Sequence, residues 1–368
     1  MMIDNKAMLE RLLEYVQIDS ETGDEAAMAA RLVEDFKAIG CEVTTDEIHE
    51  VAMTTGSNVY ATLPGRADLE PIMFSAHMDT VVPGKGVKPR VDPDGFVRTD
   101  GTTVLGGDDK AGICAIMEAM KAVRDLDHRT VEAVITVREE SGMYGAKNLD
   151  YSRIQSKSCV VLDSSGGPDK IIVAAPGQNK IRATITGRRA HAGLAPETGI
   201  SAIQVAANAV AAMQLLRIDE ETTCNIGTLK AEGPTNVVSE SAFLELEVRS
   251  RNNGKLEAHT KHLVGCLEAA CEKFGAKLEC EVSTSYLGYS HDGSHPLVAR
   301  LADVVRSLGM EPVLAASGGG SDANIFGNKG IDAVNMGVGM TKVHTTSEEQ
   351  NIAQMEMASQ VCLELMKA

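Results

Sequence analysis

The sequence predicts an α/β protein with a mostly parallel sheet, discontinuous along the chain and interrupted by an inserted α+β segment. Three observations carry this expectation. Short apolar, β-rich runs at 58–63, 72–76, 131–137 and 159–162 alternate with helical patterns, as in a layered α/β domain. From Lys180 the order changes to strand, helix, strand, strand, helix, strand, the split βαβ arrangement. After Gly288 the first style resumes and runs to the last helix. The expected division is 1–178 with 288–368 as the larger domain and 179–287 as the insert. A length of 368 residues favours two domains as well, because single cores stop growing at about 250–300 residues.

Met8, Leu9, Leu12, Leu13 and Val16 form an apolar stripe at helical spacing after Asp4 or Asn5. A second helix is expected from near Asp24 to Gly40, where a C-terminal glycine suits the left-handed cap. The first two strand runs follow, then a helix from near Lys110 with Ile113, Ile116, Met117 and Met120 on one face, then the next two strands. Within the insert, 181–186 reads as a strand, the segment from Gly199 as a long helix, 243–248 as a strand alternating apolar and acidic residues, 255–274 as a helix and 278–282 as a strand. Gly318-Gly319-Gly320 interrupts the pattern before a final helix over about 347–366.

The chain carries 52 acidic and 35 basic residues, a net charge of −17, which excludes a globally basic nucleic-acid binder. With 43% hydrophobic and 24% charged residues its composition is that of a folded globule, not of a disordered chain or a membrane bundle. The uncharged stretch from Gly199 to Leu216 contains Gln204, Asn208 and Gln214 and reads as a packed helix, not a membrane span. The N-terminus lacks a basic segment followed by an apolar one, so a cytoplasmic location is expected. The eight cysteines are scattered through apolar segments with no Cys-x-x-Cys pair, as expected of reduced core residues.

Five polar clusters lie at strand ends or helix starts. In Phe74-Ser75-Ala76-His77-Met78-Asp79-Thr80, period two places His77 and Asp79 on one side, so the carboxylate can hold the second imidazole nitrogen; a wet strand end explains the same residues. Gly106-Gly107-Asp108-Asp109-Lys110 opens a helix, where capping accounts for one acid but not readily for two. Glu139-Glu140 follows a buried-type strand, so one can bind metal while its neighbour faces a reacting water; a solvated charge pair is the alternative. Asp163 ends a strand and His344 precedes the last helix, positions that a turn and a cap also explain. Together, two histidines and at least three carboxylates match the mixed nitrogen and oxygen ligands of a two-zinc hydrolase. Neither glycine-rich stretch fits a phosphate-binding fingerprint.

With these residues in place, the sequence resembles the M20 zinc metallopeptidase family that contains peptidase T, carboxypeptidase G, aminoacylase and succinyl-diaminopimelate desuccinylase. The resemblance spans almost the whole chain. It rests on eight blocks in family order: His77-Met78-Asp79-Thr80, Gly107-Asp108-Asp109-Lys110-Ala111-Gly112, Glu139-Glu140, Asp163, His191-Ala192-Gly193, Gly233-Pro234-Thr235-Asn236-Val237-Val238, Gly319-Gly320-Ser321-Asp322-Ala323-Asn324 and His344. It implies a discontinuous two-zinc exopeptidase domain with an inserted ferredoxin-like lid and dimerisation domain.

The resemblance further implies two Zn2+ per subunit, with Co2+ or Mn2+ as substitutes. His77, Asp108 and Asp163 would bind one ion and Asp108, Glu140 and His344 the other, Asp108 bridging, with a cis Asp108–Asp109 peptide. Asp79 would orient His77, and Glu139 would take the proton of a water shared by metals about 3.5–4 Å apart, then protonate the leaving amine. His191, reaching the partner subunit's site, Asn236 and Arg249 correspond to substrate-binding positions, although an Arg also serves as an ordinary ion-pair partner. Asp163 stands where carboxypeptidases and deacylases carry Glu, which favours a peptidase T-like enzyme cleaving the N-terminal bond of short peptides as a homodimer, with no nucleic-acid or membrane partner. The alternatives are a dipeptidase, carboxypeptidase or N-acyl amino-acid deacylase of the same family and, from another class, a non-catalytic ligand-binding relative.

Overall fold

A computed structural model describes residues 2–368, which divide into two compact units. The first comprises the described residues up to Ala174, His291–Ser317 and Ser321–Ala368; the second comprises Ala175–Ser290 and Gly318–Gly320.

The first unit is built on a mixed sheet whose centre is parallel. Ile72–His77 lies between Val131–Thr136 and Ser158–Ser165 and runs parallel to both, and Asp332–Thr341 continues the parallel set beside Ser158–Ser165. Antiparallel strands flank this centre: Val59–Leu63 and Glu42–Thr45 on one side, Glu349–Asn351, Phe96–Arg98 and Arg90–Val91 on the other. Residues on both Ile72–His77 and Val131–Thr136 are buried throughout, so these strands are covered on both faces; buried Ser75 donates to the Val134 carbonyl and Glu132 accepts the Gln155 and Ser156 N–H groups.

Helix Gly107–Val123 passes through the core, and every residue of it except Lys121 is buried. Ile113, Ile116, Met117 and Met120 are fully enclosed, each worth about 1.5–3 kcal/mol of apolar burial. Gly112 lets the helix approach the strand ending in the site: a Cβ there would lie 2.6 Å from the Leu162 carbonyl oxygen and against the Asp109 carboxylate. Helix Ile352–Met366 packs alongside, and Asn5–Tyr15 starts at Asp4, whose carboxylate accepts the Ala7 N–H at 3.0 Å.

In the second unit, Gly177–Thr186, Thr222–Lys230, Ser241–Ser250 and Lys277–Tyr286 form an antiparallel sheet in the spatial order fourth, first, third, second. Helices Ala202–Ala212 and Asn253–Phe274 pack on the face carrying Ile181, Ala183, Ile185, Leu244, Leu246 and Val248. The alternation along Ser241–Ser250 puts Phe243, Glu245, Glu247 and Arg249 on the opposite face. Ser201 and Asn252 cap the two helices, and Gly275 in the left-handed region ends the second.

Several boundaries differ from expectation. The last helix begins at Ile352, not near Ser347, because Glu349–Asn351 pairs as a strand with both Asp332–Thr341 and Phe96–Arg98, and Asn351 then caps the helix. The helix expected from Gly199 is Ala202–Ala212, preceded by a single 3-10 turn at Pro196–Thr198. All eight cysteines are free; Cys280 is exposed on the edge strand and Cys266 half-buried, so these two are not core residues. Among the described residues no helix is long and apolar enough to cross a membrane.

Candidate metal centre

Polar residues collect at the carboxyl ends of the central parallel strands, where open α/β sheets place their chemistry. His77 is the last residue of its strand, Glu139 and Glu140 stand just past Val131–Thr136, and Asp163 lies near the end of Ser158–Ser165. Asp108 and Asp109 arrive from the entry to the core helix, with Gly106 in the left-handed region at φ 73° and a cis Asp108–Asp109 peptide. Asp332–Thr341 leaves the sheet through Lys342 and His344, both at positive φ, and so delivers His344.

Asp108 joins two imidazoles. Its Oδ1 lies 3.2 Å from His77 Nε2 and its Oδ2 3.3 Å from His344 Nε2. Glu140 Oε2 is 2.9 Å from His344 Nε2, and Asp163 Oδ1 is 3.9 Å from His77 Nε2. His77 Nδ1 faces the Asp79 carbonyl oxygen at 2.9 Å and its Oδ1 at 3.4 Å. Asp79 is fully buried and also accepts the Glu139 N–H at 2.9 Å, the Glu140 N–H at 3.3 Å and the Thr22 hydroxyl at 2.7 Å. Asn335 holds Asp163 by its backbone: it accepts the Asp163 N–H at 2.9 Å and donates to the Asp163 carbonyl at 2.6 Å.

The electrostatics are those of crowded acids. Burial, then the charge of Asp163, raises the Glu139 carboxyl well above the usual range; burial, then Asp108, does the same to Asp163. Burial also raises Glu140, against its hydrogen bond to His344. For His77, burial pulls the pKa down, but hydrogen bonds to Asp108 and Asp79 overcome it and hold the imidazole well above its ordinary value. Hydrogen bonds to Asp108 and Glu140 raise His344 to about 10. Asp108 is held below the usual carboxylate range by its two histidines, although burial opposes this.

This set fits a pair of dications. It combines imidazole nitrogen with carboxylate oxygen, the donors of zinc-class ions, and packs more carboxylates than the histidines neutralise. Glu140 Oε1 is buried and has no hydrogen-bond partner among the described residues. His77, Asp108 and Glu140 offer ligand atoms within 4.8 Å of one another, as do His77, Asp109 and Asp163. Asp109 is already engaged: its oxygens accept the His77 N–H at 3.3 Å and the Gly112 N–H at 3.2 Å, so it serves better as a brace than as a ligand.

The sequence did not single out three neighbours of this cluster. Glu348 accepts the N–H groups of Leu105, Gly106 and Asp108. Thr22 holds Asp79, and buried Asp322 accepts the Thr136 hydroxyl at 2.6 Å. Asp322 stood within one of the quoted blocks, whereas Thr22 and Glu348 carried no local signal.

His191, Asn236 and Arg249 lie in the second unit. His191 and Asn236 are exposed neighbours: His191 bridges to Val237, and the Ala192 N–H donates to the Asn236 carbonyl at 2.9 Å. His191 Nδ1 accepts the Gly193 N–H at 3.1 Å and the Leu194 N–H at 3.2 Å. Arg249 donates to Glu247 at 2.9 Å, and Gln178 donates to the same carboxylate.

Residues 73–368 match the peptidase family M20/M25/M40. The chain is 41% identical over its whole length to the uncharacterized protein YqjE of Bacillus subtilis, covering 99% of it. Among solved structures it is similar to the aminopeptidase PepT of Bacillus cereus (40% identity, TM-score 0.94) and to a tripeptidase of Staphylococcus aureus (37% identity, TM-score 0.95). Each match covers 100% of this chain and 99% of the other.

Proposed function

The chain belongs to the peptidase family M20/M25/M40 and is a metallopeptidase of it, and from this premise we propose a zinc-dependent aminopeptidase that releases the N-terminal residue of short peptides. One observation carries the reading: the two oxygens of Asp108 face two different imidazoles at 3.2 and 3.3 Å, so this carboxylate would be available to two metal ions at once. His77, Asp108 and Asp163 would hold one ion, and Asp108, Glu140 and His344 the other. When bound, such a pair polarises a scissile carbonyl and acidifies water.

The chain's own residues do the rest. Glu139, a carboxylate of the cluster that neither proposed ligand set uses, would accept in its ionised form the proton of the attacking water and pass it to the leaving nitrogen. Asp79 fixes the His77 ring through Nδ1 and the twin glutamates through their backbone. Asp163 in place of Glu supports the aminopeptidase branch, as do the aminopeptidase and tripeptidase among the similar structures. His191, Asn236 and Arg249 are proposed to bind substrate, and the chain to work as a homodimer through the second unit; the mass in solution by light scattering tests the latter.

The test is cleavage of one free tripeptide and its N-acetylated twin by zinc-loaded protein, with products identified by mass. Loss of the N-terminal residue from the free peptide alone supports the proposal. Attack only on the blocked peptide points to a carboxypeptidase or deacylase and overturns it.

A further inference from the structure

Glu348 is 2% exposed, sits four residues after His344, and is removed from Asp108 by 240 positions in sequence. Its Oε2 accepts the N–H groups of Leu105 and Gly106, each at 2.8 Å, and its Oε1 accepts the N–H of Asp108 at 2.9 Å. Three backbone N–H donors thus converge on one buried carboxyl group, which accepts all of them and fixes the turn in direction. The chain is shaped for this contact. Gly106 takes φ 73°, and a Cβ at Gly107 would lie 3.2 Å from Glu348 Oε1 and 3.4 Å from Gln350 Oε1.

We propose that Glu348 is a positioning residue for the metal centre, tying the loop that carries His344 to the turn that carries Asp108. The inference rests on the metallopeptidase reading above. Asp108 is gripped through its backbone N–H, so its carboxylate is presented to His77 and His344 from an anchored main chain. The same anchor limits the drift of His344, which is half exposed and held otherwise by the two carboxylates it faces. Supporting groups of this kind typically change metal affinity or activity by about 10–100-fold when removed.

Glu348→Gln is nearly isosteric yet replaces one accepting oxygen with N–H donors, so whichever way the amide turns, a donor faces a donor. Glu349→Gln is the control: the neighbouring carboxylate pairs with Arg98 at 2.7 Å and Lys342 at 3.0 Å instead. Two quantities are read: amide exchange at Leu105, Gly106 and Asp108 in metal-free protein, and zinc affinity by calorimetry. The expected result for Glu348→Gln is exchange at those three amides faster by at least about 10-fold and zinc binding weaker by about 10–100-fold, with Glu349→Gln at wild-type values. Wild-type exchange and wild-type zinc affinity in Glu348→Gln would overturn the proposal. Should that variant fail to fold, Glu348→Asp keeps the charge while withdrawing the oxygens, and the same two readouts apply. If the wild-type protein binds no zinc, the metallopeptidase reading fails, and amide exchange alone decides whether Glu348 anchors the turn.

Discussion

The carboxylate of Asp79 accepts the backbone N–H of Glu139 at 2.9 Å, which fixes the direction in which the proposed base leaves its strand. The same buried group holds Glu140 and faces the outer nitrogen of His77, so one side chain organises three members of the centre. Removal of Asp79 therefore has a compound cost. Asp79→Ala is expected to weaken zinc binding and lower kcat/KM by at least about 10–100-fold, read by calorimetry and by tripeptide cleavage. Thr22→Val removes one donor to Asp79 and should show the same losses in milder form.

Glu139→Ala deletes the proposed base but none of the proposed ligands. It should keep wild-type zinc affinity while kcat falls by about 10²–10⁴-fold. An unchanged kcat would remove Glu139 from the chemistry, and lost zinc would make it a ligand.

The metal-free protein should lose stability as pH rises. Hydrogen bonds to Asp108 and Glu140 raise His344 from an ordinary 6.5 to about 10, against burial. A histidine whose folded-state pKa is raised stabilises the fold fully below its unfolded value and loses that contribution as pH rises through the folded value. The Tm of chelated protein should fall between pH 6.5 and 10, and His344→Gln should flatten that slope. Zinc must displace the histidine proton, so calorimetry in buffers of different ionisation enthalpy should show proton release on binding.

Gly112→Ala introduces a methyl group where the Leu162 carbonyl stands 2.6 Å away and Asp109 closer still. The core helix must then move off the strand that carries Asp163. A loss of about 1–3 kcal/mol in urea unfolding is expected, as for other overpacked cores, together with weaker zinc binding.

Most of the first unit was legible because its central strands are largely apolar runs followed by polar residues, and because Asp4 and Gly40 mark helix ends by their chemistry. His77, Asp108, Glu139, Glu140, Asp163 and His344 could be picked out since each stands where a strand ends or a helix begins. Glu348 could not. Nothing local separates it from Glu349, yet one is sealed beneath the Asp108 turn and the other pairs with Arg98. That difference arises only when two segments some 240 residues apart are brought together. The hairpin of Arg90–Val91 and Phe96–Arg98 escaped for a related reason: strands of two and three residues carry no periodicity, and Glu349–Asn351, which extends the hairpin, lies far along the chain.

The most direct measurement is a zinc titration of chelated protein, following release of the N-terminal residue from a free tripeptide. Activity absent without metal and rising to a plateau at two equivalents per chain is the expected result. Full activity in the chelated protein, or a plateau at one equivalent, would contradict a centre in which Asp108 serves two ions.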